Sequence, residues 1–387
     1  MNHQLTKSSR NFRPLSTNLI SCSKRWKGGR MSDLSELPSR RILRLSEKCL
    51  TLQRNDFVNK SLSSWAVNQF MGCGHGCSFC YVPEVSVVKQ KSLLRGYGVE
   101  SPAEEWGRYT LVRPWDRTSF LSDVLKAEGT PLTELNRDGN RAVMYSSTTD
   151  PYQVLKGLSG EDLKMMRAVA DNARRKSLEM IRDHSTLNVR ILTRSPLARE
   201  DFELMRSFGD RLMFGVSLPT LDEKVSRIYE PDAPGPQQRL QLLEDAHAAG
   251  IATFVAVAPV FPQSNCEDLV TLFKKVEKAQ PHTIFMEPVN IRLKVAERIE
   301  ASAKKLGMEN DVSPFRDSQV WADYAVKMLK VAELAAEEAG VRAKLHLWPD
   351  KALGSKAVVQ RQSNVHDYTS WLQRCWERIS EWPGKSN

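Results

Sequence analysis

Three cysteines stand within eight residues of one another in the stretch NQFMGCGHGCSFCYVP, residues 68–83: Cys73, Cys77 and Cys80. Thiolates ligate zinc and iron–sulfur clusters. A structural zinc site takes four ligands. His75 could supply a fourth, but it lies between Cys73 and Cys77, where loop strain makes joint ligation awkward. No second CxxC knuckle occurs elsewhere. Three close thiolates suit a cubane cluster better. They hold three of its irons and leave one open to a small chelating ligand. Gly72, Gly74 and Gly76 free the backbone to wrap tightly.

The elements that must position this loop read as a βα series. SSWAVNQFM (63–71) predicts a buried strand running into the loop. Residues 84–140 carry several turn signals and read as an insertion. Short apolar runs then alternate with helical periodicity. Strands are expected at 141–147, 188–193, 211–218, 251–260, 282–289 and 341–348. Helices are expected at 159–184, 198–209, 236–250, 266–279 and 318–340, with Ser159 a plausible cap and Pro236 and Gly250 bounding the third. The pattern implies right-handed βαβ units and a parallel sheet, hence a full or partial parallel (β/α) barrel of the α/β class. Chemistry in such barrels sits at the carboxyl ends of the strands. VHDYTSWLQRCWERISEW (365–382) reads as a helix whose Trp371, Leu372, Cys375, Trp376 and Ile379 pack on the barrel. The expected organisation is a basic leader and lead-in over 1–60, a core barrel over 61–290 and a C-terminal helical part over 291–387.

The C-x3-C-x2-C spacing, with Phe79 before the last cysteine and Tyr81 after it, resembles the signature of the radical S-adenosylmethionine superfamily. SSTTDPYQ (146–153), ILTRS (191–195), the segment 215–251 with EPDAPGPQQRL, and VAVAPVFPQSN (255–265) resemble its spore photoproduct lyase-like branch. The resemblance covers roughly residues 63–290. It implies a [4Fe–4S] cluster on Cys73, Cys77 and Cys80, and S-adenosylmethionine chelated to the open iron. One electron then releases methionine and a 5′-deoxyadenosyl radical, which abstracts hydrogen from a substrate. It further implies that Phe79 lies near the adenine, and that Ser146, Ser147, Thr148 and Thr149 face the cofactor's amino end. Arg194 would meet its carboxylate, Ser217 its ribose, and Val257, Ala258 and Pro259 its adenine. A flavodoxin- or ferredoxin-type electron donor is implied as partner. Asp150 and Glu230 read as braces; Arg227 or Arg239 would pair with Glu230.

The lyase itself returns a hydrogen atom from a cysteine well downstream of the cluster motif, and here no cysteine lies between Cys80 and Cys266. Dimer repair is therefore not expected. Cys266, Tyr145 and Tyr152 are the remaining candidates for a hydrogen donor.

The net charge is +10, yet residues 1–60 hold 13 Lys/Arg against 4 Asp/Glu, so the body is nearly neutral. That places any pull on nucleic acid in the leader. Residues 1–30 contain no acid and read as a flexible basic leader, an over-long start with Met31 as the true one, or a transit peptide. No run of about 18 apolar residues suggests a membrane span, and no secretory signal pattern is present. A cytoplasmic protein is expected, because an odd number of clustered cysteines is not a disulfide framework. The competing function is a metal-stabilised nucleic-acid-binding protein without catalysis.

Overall fold

The computed structural model describes residues 41–55, 60, 62–135, 139–291 and 294–384. The basic stretch 1–30 lies outside them. The described residues form eleven strands: β1 (Ile42–Leu45), β2 (Leu52–Arg54), β3 (Trp65–Val67), β4 (Phe70–Met71), β5 (Tyr109–Val112), β6 (Ala142–Tyr145), β7 (Asn188–Thr193), β8 (Leu212–Ser217), β9 (Thr253–Val260), β10 (Thr283–Pro288) and β11 (Leu345–Leu347).

The main sheet runs β11-β10-β9-β8-β7-β6-β3-β2. All neighbours from β3 to β11 are parallel, and β2 closes one edge antiparallel to β3. Each new strand joins the same side of the last, as right-handed crossovers require. Among the described residues no pairing joins β11 back to β3 or β2, so the barrel is partial. Strand alternation divides the side chains. Val143, Val189, Ile191, Phe214, Val255 and Ile284 face the helical layer in the main core. Ala142, Met213, Phe254, Phe285 and Trp348 gather in a separate cluster with Trp382, which fills the barrel's interior.

The stretch 63–71 splits into two strands on two sheets. After β3 the chain turns at Asn68 and Gln69, and β4 pairs antiparallel with β5. β5 also pairs in parallel with β1, giving a small sheet β1-β5-β4. Residues 84–140 thus supply a wall for the cysteine loop: Tyr109, Leu111 and Trp106 pack with Cys73, Met71 and Val82.

Helices Gly160–His184, Pro236–Ala248, Cys266–Val276 and Ser318–Glu338 occupy the expected stretches. Ser159 stands at the first helix's N-cap without a side-chain bond. The expected helix 198–209 starts earlier and tighter. Ser195 caps a 3-10 turn, Pro196–Asp201, opened by its proline, and only Phe202–Arg206 is α-helical. The last helix, Val365–Glu377, buries Tyr368 and Leu372 and sets Trp371, Cys375 and Trp376 against the main core, whereas Ile379 lies beyond it and is exposed.

Candidate functional site

The cysteine loop follows β4 at the carboxyl end of the barrel. Two glycines make its shape feasible. Gly72 has φ +88° and a Cβ there would meet the Tyr109 carbonyl at 2.2 Å; Gly76 has φ +56° and packs against Gly107. Neither position admits a side chain without strain. Gln153, the last residue of TDPYQ, straddles the loop: its Oε1 accepts from the Gly74 amide at 2.5 Å and from Thr110 Oγ1 at 3.2 Å, and its Nε2 donates to the Gly72 carbonyl. Ser78 ties the far side down, donating from its amide to Tyr229 O at 2.9 Å and from Oγ to Ile228 O at 3.1 Å. The proline-rich segment after β8 thereby touches the cysteine loop directly.

Cys73, Cys77, Cys80, Cys266 and Cys375 are free thiols. Burial pushes the Cys73, Cys77 and Cys80 thiols up to about 12 each. Arg194 beside Cys77, and Arg298 and Arg194 beside Cys80, pull the other way. This is a donor set that needs a bound cation to become thiolate. Among the described residues no group of three or more His, Cys, Asp or Glu side chains converges as around a single ion. The zinc alternative with His75 as fourth ligand therefore has no geometry. His75 is buried, its Nδ1 faces Asp150 Oδ2 at 3.5 Å, and its pKa falls to about 4, burial being the main cause.

Asp150 is a brace. Its carboxylate accepts from Tyr152 N at 2.9 Å, Thr193 Oγ1 at 2.7 Å and Arg194 N at 2.7 Å, locking the ends of β6 and β7 together. Glu230 is a second brace, fully buried between two arginines: Arg194 Nε at 2.5 Å and Arg239 Nη1 at 2.6 Å. Of the two partners expected for Glu230, Arg239 is the one that binds it; Arg227 donates to Pro231 O. Burial works to raise Glu230's pKa, but Arg239 and Arg194 override it and hold the carboxyl below its ordinary range. Burial likewise opposes the charge on Arg194, yet Cys77 and Glu230 beside it leave its pKa raised. Arg194 spends its backbone amide and Nε on these braces. Nη1 and Nη2 make no hydrogen bond among the described residues, a free fork for a carboxylate.

The four hydroxyl residues after β6 divide into two pairs. Asn68 holds Ser147 Oγ at 3.0 Å and Thr148 through both amide and hydroxyl, each at 3.0 Å. Ser146 Oγ and Thr149 Oγ1 are buried without a partner among the described residues. Phe79 lies 5.7 Å from Phe261 and 5.9 Å from the Arg194 guanidinium carbon. Ser217 ends β8, buried, its carbonyl accepting from Arg239 at 3.2 Å. Val257 turns its side chain into the main core, so only its backbone borders the site, while Ala258 and Pro259 are half-buried and joined by a cis peptide bond. Cys266 opens helix Cys266–Val276 and packs against the main core.

Sequence reading missed Asn68, Gln153 and Arg298, and also Lys60 and Glu287. Lys60 pairs with Glu287 at 2.5 Å and sits 4.9 Å above the Trp348 ring, beside the ends of β10 and β11. Only the position of Gln153 inside TDPYQ hinted at its role.

The fold and site together define an α/β partial barrel whose carboxyl rim carries a three-thiol loop, a free arginine fork and unpartnered hydroxyls. The family model described as the Radical SAM superfamily matches residues 67–276, and the chain belongs to that superfamily. Its members use a [4Fe–4S] cluster and S-adenosylmethionine, and the donors described above fit both. An uncharacterized protein of Acidianus two-tailed virus, ORF301, is 32% identical over 259 residues, covering 65% of this chain and 76% of that protein. An uncharacterized protein of Mycobacterium tuberculosis (strain ATCC 25618 / H37Rv) is 27% identical over 203 residues, and the match spans 51% of this chain and half of that protein's length. Among solved structures, a spore photoproduct lyase variant with bound AdoMet and dinucleoside spore photoproduct matches at TM-score 0.51 and 14% identity, over 74% of this chain and 76% of that one. A second lyase variant matches at TM-score 0.56 and 12% identity, over 82% and 87%. These structures share the fold. No helix among the described residues is long and apolar enough to cross a membrane.

Proposed function

We propose that this chain is a radical S-adenosylmethionine enzyme acting on an unidentified substrate, with Cys73, Cys77 and Cys80 as cluster ligands. One observation carries the reading: three free thiols share a loop on the barrel's carboxyl rim, beside an arginine whose terminal nitrogens are uncommitted. When bound, the cluster and S-adenosylmethionine supply a 5′-deoxyadenosyl radical, formed as one electron from a flavodoxin- or ferredoxin-type donor splits the sulfonium and methionine leaves. The chain's own residues do the rest. Arg194 receives the cofactor carboxylate with Nη1 and Nη2 while Glu230 fixes the guanidinium plane. Ser146 and Thr149 offer the amino end their unpartnered hydroxyls, and Ser147 and Thr148 are held back by Asn68. Phe79, Ser217 and the backbone of Val257 to Pro259 border the nucleoside. Lys60, Glu287 and Trp348 stand together at the ends of β10 and β11, where a substrate would meet charge and an aromatic surface.

The near-neutral body favours a small molecule or peptide over nucleic acid as substrate. Cys266, packed against the main core, does not support a hydrogen-donor role. Anaerobic reconstitution should give a brown protein with about four irons per chain. Adding S-adenosylmethionine and a strong reductant should then yield 5′-deoxyadenosine. Cys77→Ala should lose the cluster and the product together. A wild-type chain that takes up zinc alone and never cleaves the cofactor would overturn the reading.

A further inference from the structure

One side chain from the C-terminal part reaches back to the cysteine loop. Arg298, on helix Val295–Lys305, donates from Nε to the Ser78 carbonyl at 3.1 Å and from Nη2 to the Cys80 carbonyl. Its Nη1 pairs with Glu84, on the short helix Val82–Val85 that follows the loop. The Arg298 side chain is 15% exposed and that of Glu84 9%. Glu84 is itself fixed, since its other oxygen accepts from the Lys294 amide at 3.0 Å. Arg298 therefore commits all three nitrogens of its fork to one short piece of chain, with the last cysteine at its centre. A lysine could not do this, having a single point of charge and no planar fork. Arg298 also lies beyond residues 67–276, the part that matches the superfamily. It is a feature of this chain's own C-terminal part.

We propose that Arg298 is a positioning residue that sets the electron affinity of the cluster held at Cys80, and that Glu84 tempers it. The inference rests on the reading of Cys73, Cys77 and Cys80 as cluster ligands. Accepting an electron adds negative charge to the cluster. A fixed cation nearby, little screened by solvent, lowers the energy of that reduced state. Cluster potentials respond to local charge and to hydrogen bonding around the ligands. Glu84 on the third nitrogen partly neutralises the guanidinium, so the two side chains pull the potential in opposite directions.

The test uses the full chain, reconstituted anaerobically as wild type, Arg298→Gln, Arg298→Lys and Glu84→Gln. Iron content is measured first. The cluster's midpoint potential is then read by reductive titration followed by electron paramagnetic resonance. Arg298→Gln should shift the potential down and Glu84→Gln should shift it up, with Arg298→Lys between wild type and Arg298→Gln. A latch that merely holds the loop would reduce iron content in both neutral variants and give no opposed shifts. Should Arg298→Gln retain no cluster, the upward shift in Glu84→Gln and the smaller downward shift in Arg298→Lys decide the matter. Unchanged potentials, or shifts of the same sign, overturn the inference while leaving the proposed function standing. A wild-type chain that assembles no cluster refutes both.

Discussion

Two arginines four positions apart show how the ends of one barrel solve the same problem differently. Arg190 lies on β7 and Arg194 follows its last residue, about 13 Å further along the strand direction. Arg190 is fully buried near the amino end, donating to Leu62 O at 2.9 Å and to Ser380 Oγ at 2.7 Å. Its guanidinium carbon stands 4.7 Å from the Trp382 ring, with Phe285 and Phe254 at 5.8 and 6.0 Å. Burial pulls its pKa down to about 9, so it stays charged at neutral pH. Arg194, at the carboxyl end, is held by a carboxylate and its pKa rises. The floor arginine is closed in by aromatic faces and the C-terminal tail, a plug. The rim arginine is fixed on one edge and free on the other, which suits the part of receptor proposed for it. Strand alternation aims both inward; what covers each one decides its task.

The sharpest way to break this contrast is to remove each charge in turn. Arg190→Ala should cost about 4 kcal/mol of stability, the combined effect of a cavity and orphaned acceptors, read as a fall in the denaturant midpoint. Folded Arg190→Ala should still bind S-adenosylmethionine with nearly native affinity. Arg194→Gln should weaken cofactor binding about 10- to 100-fold, the loss of a charge-assisted pairing worth about 1.5–3 kcal/mol, measured by equilibrium binding to the reconstituted protein. An Arg190→Ala variant that loses the cofactor while remaining folded would erase the division between plug and receptor.

The rim was the more legible end, and the reason is physical. Local signals mark it: three cysteines among glycines, and polar residues where apolar runs stop. The βα alternation was equally plain, and β7 falls on the expected span of 188–193. Residues that act through distant partners left no such trace. Asn68 reaches Thr148, Gln153 reaches Gly74, and Arg298 reaches Cys80, across 80, 79 and 218 residues. Nor does periodicity reveal that 63–71 splits between two sheets, because β4 is defined by its pairing with β5 some 40 residues on. The floor was hidden for the same cause: Arg190 is one charged residue in an apolar strand, and its cover comes from Ser380 and Trp382.

Acid should reach the floor through a buried histidine. His346, on β11, is 1% exposed, and its ring lies 5.2 Å from Phe285. Neither ring nitrogen has a hydrogen-bond partner among the described residues. Burial, then Arg378 and Arg190, lowers its pKa to about 3. The unfolded chain takes up a proton at this histidine below about pH 6.5, whereas the folded chain resists until about 3. The associated stability is complete above the unfolded value and is lost as pH falls, at up to about 1.4 kcal/mol per pH unit. Glu230 also has a lowered pKa, so its share is present above the ordinary glutamate value and disappears only at more acidic pH. His75 at the rim, whose pKa burial lowers to about 4, adds a loss of the same sign below about pH 6.5, so denaturant midpoints across pH 7 to 4 should decline through both histidines, and His346→Phe should remove only the floor's share of that decline. A wild-type curve flat down to pH 4.5 would show that the floor histidine is not kept neutral.

The finest probe of the contrast is Ser380→Ala. The Ser380 hydroxyl accepts from Arg190 Nη2 at 2.7 Å and from Asn140 Nδ2 at 3.3 Å. Removing it takes away one acceptor from a buried cation and leaves the aromatic faces in place. The expected loss is about 1–2 kcal/mol, small enough that the chain stays folded and can be loaded with cofactor. Its value lies in what should stay still. Arg190 and Arg194 share β7, so a shift of the floor arginine could travel along the strand to the Asp150 and Glu230 braces. Two hydrogen bonds that do not involve the floor hold Arg194: its amide donates to Asp150 and its Nε to Glu230, which Arg239 in turn fixes. If they isolate the rim, S-adenosylmethionine affinity in Ser380→Ala equals that of wild type within error while the denaturant midpoint falls. A loss of affinity in step with the loss of stability would mean that plug and receptor are one mechanical unit.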